Sequence, residues 1–198
     1  MNRRERKKEK TKDNIIDCAV SVFKEKGFKE TSMEEIAEKS DVSKGTLYNY
    51  FQDKESILVG YFQSIIEDYS LEINRSSKEH EDLITLFNKL LDLITHIFRN
   101  DVVLAVIYFR YRLQTLFDHS KLDNPQRSGL ESLVLEIIKE GQRNNELRSD
   151  IPLEIIARNF QFLFINFFVT SIQGKETFDE DFLRSQLINL FLNGAKLQ

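Results

Sequence analysis

Residues 32–54 read SMEEIAEKSDVSKGTLYNYFQDK. Ser32, with Glu35 three positions on, forms the capping-box pattern that opens a helix, and Met33, Ile36 and Ala37 are its inward positions. That helix ends near Ser40. Asp41-Val42-Ser43 is a turn, with Val42 as an apolar plug, and Ser43 caps a second short helix over about Lys44 to Phe51. Leu47 and Phe51, four apart, face one core. Lys44, Gly45, Thr46, Tyr48, Asn49 and Tyr50 stand where a purely structural helix carries Glu, Lys and Ala. This pattern is that of a helix-turn-helix, whose second helix enters the DNA major groove.

Upstream, Ile15, Ile16, Ala19, Val20 and Phe23 recur at helical spacing and predict a helix over about Glu9 to Lys26. Gly27 ends it, and Phe28 folds back onto its apolar face. Downstream, Asp53 is an N-cap with Ser56 at the third helical position. The helix from Lys54 into the seventies keeps Ile57, Leu58, Tyr61, Phe62, Ile65, Ile66 and Tyr69 on one face. It is long enough to link a three-helix head to a second domain. Residues 74–82 are a polar break, and five further helices are expected at roughly 81–99, 101–117, 125–145, 152–173 and 179–194. Asn124-Pro125 and Ile151-Pro152 mark two of their starts.

Composition bounds the function. Gly is 7 and Pro is 2 in 198 residues, which favours an all-α chain. A hydrophobic share of 41% and a charged share of 30% suit a soluble globular protein. No uncharged apolar run of about 18 residues occurs, so no membrane partner is expected. The start NRRERKKEKTK has no apolar segment behind it, as a secretory signal would require. A single cysteine, Cys18, fits a reducing cytoplasm and reads as a small core side chain. His80, His96 and His119 are too scattered for a metal site, and no phosphate loop or nucleophile motif is present. No catalytic residues, metal or cofactor are expected.

The net charge of −4 is unevenly placed. Residues 1–12 hold seven Lys/Arg against two Glu, a local charge of +5, so the other 186 residues carry −9. Two readings of this basic arm stand: a solvated tail, or a segment that tracks phosphates or the minor groove.

Residues 11–60 resemble the DNA-binding domain of the TetR family of bacterial transcriptional regulators. The resemblance is carried by Phe23, Gly27-Phe28, Thr31-Ser32, Ile36-Ala37, Val42 to Tyr48, Tyr50-Phe51 and Lys54-Glu55. It implies an all-helical homodimer with an N-terminal DNA-binding domain at 1–55, including the basic arm, and a ligand-binding and dimerisation domain at 56–198. It places Ser32, Ser43, Lys44, Gly45, Thr46, Tyr48, Asn49, Tyr50 and Lys54 near double-stranded DNA. Lys44 and Asn49 suit base edges, and the hydroxyls suit phosphate oxygens. Lys54 adds its charge and a helix N-terminus to a phosphate contact.

Two segments of the second half are apolar nearly all round, 102–117 and 160–172. A helix apolar on both faces must be covered on both. For the last two helices the resemblance favours a four-helix seam between subunits, with Phe160, Phe164, Phe167, Phe168, Leu187, Leu190 and Phe191 as its candidates. The division between seam and core stays open. Tyr108, Arg110, Tyr111 and Arg112 are candidate effector contacts. Either these arginines reach solvent or a carboxylate such as Glu136 or Glu140, or they meet the acidic head of a hydrophobic or amphipathic effector such as a fatty acid or acyl-CoA. The expectation is a cytoplasmic repressor released from a palindromic operator by such a ligand. The alternative is a DNA-bound assembly or division factor with no effector.

Overall fold

The computed structural model describes residues 2–78, 82–116, 129–173 and 179–195. Among them the chain is all-α: α1 Arg3–Lys26, α2 Met33–Lys39, α3 Lys44–Tyr50, α4 Lys54–Lys78, α5 Leu83–Asn100, α6 Val102–Leu116, α7 Gly129–Arg143, α8 Leu153–Gln173 and α9 Glu180–Ala195. The expected start at Pro125, and His80 and His119, lie outside the described residues.

Two helices run further than their apolar pattern. α1 begins at Arg3, six residues before the expected start, because Asn2 caps it and forms a reciprocal box with Glu5. The basic arm is therefore helical. α4 continues through the polar residues 74–78, which were expected to break it. Without a Pro or Gly in 74–78, polarity alone does not end a helix already propagating.

The chain divides into two compact units: Met1–Ile65 with Asp101–Asn124, and Ile66–Asn100 with Pro125–Gln198. This differs from the boundary expected at residue 55. The first unit takes in the start of α4 and all of α6. Phe62 of α4 lies 4.7 Å, ring to ring, from Tyr108 of α6, and both are buried. Lys24 of α1 pairs with Asp101, just before α6, at 3.3 Å, and the Asp101 side chain is 13% exposed. The core of this unit is Ile15, Ala19, Ile36, Leu47, Ile57 and Phe62, all fully buried. Gly60 permits close packing there, since a Cβ would sit 3.1 Å from Phe51 Cε1 and 3.2 Å from Ile16 Cδ1.

The second unit packs α5, α7, α8 and α9. Phe87, Phe160 and Phe191 form an aromatic cluster with centroids 4.6 to 5.3 Å apart. Arg184 of α9 pairs with Asp92 of α5, and Arg99 of α5 pairs with Glu180 of α9. Gly141 lets Leu147 and Leu83 close over α7, where a Cβ would meet them at 2.9 to 3.1 Å. By length and composition α8 could cross a membrane over Leu153–Ser171. It carries Glu154 and Arg158, and its Phe160, Phe164 and Phe167 are 1–2% exposed, as in a core helix.

In α2, Glu35 accepts from Lys26 and from the Ser32 backbone N–H, which together hold its carboxyl down at about 2. A depressed carboxylate stabilises the fold above its unfolded value of 4.5 and loses that contribution as the pH falls towards 2. Glu35→Gln is therefore expected to be less stable than wild type near neutral pH. The gap should close between about pH 4.5 and pH 2 in urea unfolding series. A gap independent of pH would assign the effect to packing rather than to the carboxylate.

Candidate DNA interface

The interface is built by short helices that cannot stand alone. α2 and α3 have seven residues each, so their caps and the α1 scaffold hold them. Ser32 Oγ accepts from Glu35 N at 3.2 Å, and Ser43 Oγ accepts from Thr46 N at 3.1 Å. Asp41 takes a positive φ of 54° in the turn. α1 anchors the turn: Asn14 Nδ2 donates to Ser40 O at 2.9 Å, and Cys18 Sγ, half-buried, points at Lys39 O at 3.5 Å. Thr31 and Ser40 are buried polar residues satisfied locally, by Gly27 O at 2.8 Å and Ile36 O at 2.6 Å. The sequence reading missed Asn14, Thr31 and Ser40 as supports. Their signal is a short polar side chain able to reach a carbonyl beside a helix terminus.

On α3, Leu47 is fully buried and fixes the rotation of the helix. Lys44, Gly45, Tyr48 and Asn49 are exposed, with Tyr48 at 48%, and Thr46 and Tyr50 are half-buried. Lys44 pairs with Glu34 of α2 at 3.1 Å, which holds the Glu34 carboxyl below its usual range. Both side chains are more than half exposed, so the pair is worth little and can exchange for a phosphate. The Thr46 hydroxyl bonds Ser43 Oγ at 2.8 Å. At Gly45 an added Cβ would meet nothing closer than Ser43 Oγ at 4.0 Å, so nothing within the protein requires a glycine there.

Lys54 is the correction within this set. Its ammonium donates to Phe28 O at 2.7 Å, Lys29 O at 3.1 Å and Thr31 O at 2.6 Å, and sits 5.0 Å from the Phe28 ring centroid. An ammonium has three protons, and all three are engaged. The expected phosphate contact by this side chain is replaced by a clamp between α4 and the α1–α2 loop. The α4 N-terminus itself is capped by Asp53, whose Oδ1 accepts from Ser56 N at 2.7 Å.

The other expected sites are rearranged. Tyr108 is buried against Phe62, and burial pushes its phenol pKa up, with Arg112 opposing. Arg112 and Tyr111 are half-buried, whereas Arg110 is exposed. In the single subunit, Arg110 is open to solvent while Tyr108 is buried. Glu136 and Glu140 pair along their own helix, with Lys139 at 4.0 Å and Arg143 at 3.4 Å. Of the expected seam, Phe160, Phe164, Phe167, Phe168 and Leu187 are buried within the subunit, and Phe191 is half-buried on Phe87 and Phe160. Within the subunit α8 packs on α7 and α9, and Phe87 of α5 stacks on Phe160, so these side chains are already covered. Leu190, 71% exposed, remains open, and the exposed apolar row of α8 is Ile155, Phe162 and Val169.

Two substitutions separate positioning from contact. Lys54→Met is expected to lose about 1.5–3 kcal/mol of head stability with its charged hydrogen bonds. It should weaken every duplex alike while leaving the slope of log affinity against log salt unchanged, whereas each lost phosphate contact lowers that slope by about 0.9. Asn49→Ala is expected to keep stability within about 0.5 kcal/mol. It should relax base preference by about 1–3 kcal/mol. Equilibrium unfolding and anisotropy titrations read both, and a reduced salt slope in Lys54→Met would return Lys54 to the phosphates.

Residues 15–60 match the family model described as bacterial regulatory proteins, tetR family. The HTH-type transcriptional regulator YfiR of Bacillus subtilis (strain 168) is 31% identical over 185 residues, spanning 88% of this chain and 84% of that protein. The fatty acid metabolism regulator protein of the same organism is 26% identical, over 91% of this chain and 93% of its own length. Among solved structures, FadR of Thermus thermophilus, a TetR-family repressor in complex with lauroyl-CoA, superposes with a TM-score of 0.71 at 23% identity, covering 94% of this chain and 96% of that one. The exposed α3 on a capped helix-turn-helix, the all-helical fold and this similarity place the chain in the TetR family of DNA-binding transcriptional regulators.

Proposed function

We propose that this protein is a cytoplasmic, dimeric repressor that leaves a palindromic operator when a fatty acyl-CoA binds. The observation that carries the reading is the extent of one likeness. Similarity to the fatty acid metabolism regulator covers 91% of the chain, well past the DNA-binding segment 15–60. Two copies of α3 would read half-sites about 34–36 Å apart, or a multiple of that. Release is a population shift, in which the acyl-CoA binds the DNA-incompetent arrangement more tightly. Arg110, exposed on α6, suits the polyanionic head of such a ligand.

A duplex recovered by selection from a random library is titrated with protein, then with lauroyl-CoA, free laurate and CoA alone. The acyl-CoA is expected to release the duplex at micromolar concentration, roughly the scale of a −8 kcal/mol interaction, and CoA alone is not. Release by laurate but not by its thioester would move the effector to free acids. Binding insensitive to all three would favour a factor with no such effector.

The subunits would pair through Ile155, Phe162 and Val169 of α8 with Phe182 and Leu190 of α9, apolar side chains left exposed by one subunit. Phe162→Lys is expected to give a folded monomer in sedimentation velocity. An intact dimer would exclude this face as the seam.

A further inference from the structure

The helical start of α1 sorts its charges. Residues 2–10 are all exposed, and burial begins only at Ile15, so this stretch projects from the packed head. At about 100° per residue, Glu5 and Glu9 fall on one side of the arm, about 200–240° round from Arg3. Arg3, Lys7 and Lys10 form a row, which continues along α1 through Asn14 and Cys18 to Ser21. That row is the side turned towards the end of α2: Asn14 donates to Ser40 O, Cys18 points at Lys39 O, and Ser21 accepts from Lys39. In the arm itself Glu5 and Glu9 therefore lie on the side away from that row, and the three cations stand on the side of the helix-turn-helix.

Distance and electrostatics fit a duplex. From Asn14 to Lys10 the axial rise is about 6 Å, and to Arg3 about 16 Å. The turn at 41–43 immediately precedes α3, whose N-terminal residues are the ones that meet base edges in this motif. A row extending about 6–16 Å along the axis beyond the Asn14–Ser40 contact is long enough to span several phosphates, which recur every 3.4 Å along one strand. Arg3 and Lys7 are like charges four apart, an arrangement that costs the free helix a few tenths of a kcal/mol and that a polyanion relieves. The continuous α1 gives the row rigidity, since its packed half at Ile15–Lys26 serves as the nucleus for the unpacked half.

We propose that Arg3, Lys7 and Lys10 form a second DNA contact, a rigid helical arm that grips backbone phosphates beside the groove entered by α3. The inference rests on the reading of α3 as the groove helix and adds a face-specific phosphate site to it. Such a contact raises affinity and salt dependence without reading sequence.

The test compares two double variants of equal charge change in the full-length protein. Lys7→Gln with Lys10→Gln removes the proposed row, and Lys8→Gln with Lys12→Gln removes cations from the opposite side of the same turns. Affinity is measured against salt on the selected operator and on a scrambled duplex of equal length, after circular dichroism confirms equal helicity. The first variant is expected to bind both duplexes about tenfold more weakly, and its salt slope to fall by up to about 3–4 for four contacts per dimer. The second is expected to stay near wild type. Equal losses in both would reduce the arm to diffuse charge, and no loss in the first would remove the contact; either overturns the proposal. If the wild type shows no preference for the selected operator, the regulator reading fails by itself. The face comparison on the scrambled duplex still decides the arm.

Discussion

One ammonium group with three carbonyl partners sets the geometry of the DNA-binding head. Lys54 Nζ bonds the carbonyls of Phe28, Lys29 and Thr31, so the first turn of α4 and the loop between α1 and α2 are held as one piece. The loop would otherwise leave those acceptors to water. Thr31 then bonds back to Gly27, and Ser32 caps α2. The orientation of α2, and through the turn that of α3, follows from that anchoring. Phe28, under the ammonium at 5.0 Å, packs on Phe23 at 4.8 Å and joins the clamp to the apolar core. A charged group with its protons satisfied rigidifies more than an apolar contact does, because its geometry is directional.

The second constraint is the inclusion of α6 in the head. α6 lies in the second half of the chain, but the Phe62–Tyr108 contact and the Lys24–Asp101 pair join it to α1 and α4. Asp101 Oδ2 is buried and lacks a well-aligned hydrogen bond, so the Lys24 charge compensates it by proximity rather than by geometry. α6 is thus an element packed with the helices that carry the helix-turn-helix. A helix with Val103 at 69% exposure, among other open valines, is only half covered by that packing.

The phenylalanines of the second unit show how one composition serves two ends. Phe160, Phe164 and Phe167 share the buried face of α8, where Phe87 of α5 stacks on Phe160 at 4.6 Å and Arg184 of α9 lies 6.0 Å from the Phe167 ring. Phe162, two residues from either neighbour, turns outward and stays 55% exposed. Periodicity identified α8 as apolar on both faces but gave no rule for which face a neighbour within the same chain would claim.

The sequence by itself determined the helix-turn-helix, because caps, turn and inward residues are encoded within a few positions of one another. Ser32 with Glu35, Ser43, Leu47 and Asp53 with Ser56 each act through local hydrogen bonds or a helical repeat. The same locality made the all-α class and most helix positions readable. It misjudged the ends of α1 and α4, where a cap in one case and simple propagation in the other outrun the apolar pattern. Only the tertiary structure decided the role of Lys54, whose acceptors lie 23 to 26 residues away. Only it assigned α6 to the head, and the buried phenylalanines to the core rather than the seam. These outcomes depend on which distant surface arrives first at a given side chain, and no local repeat encodes that.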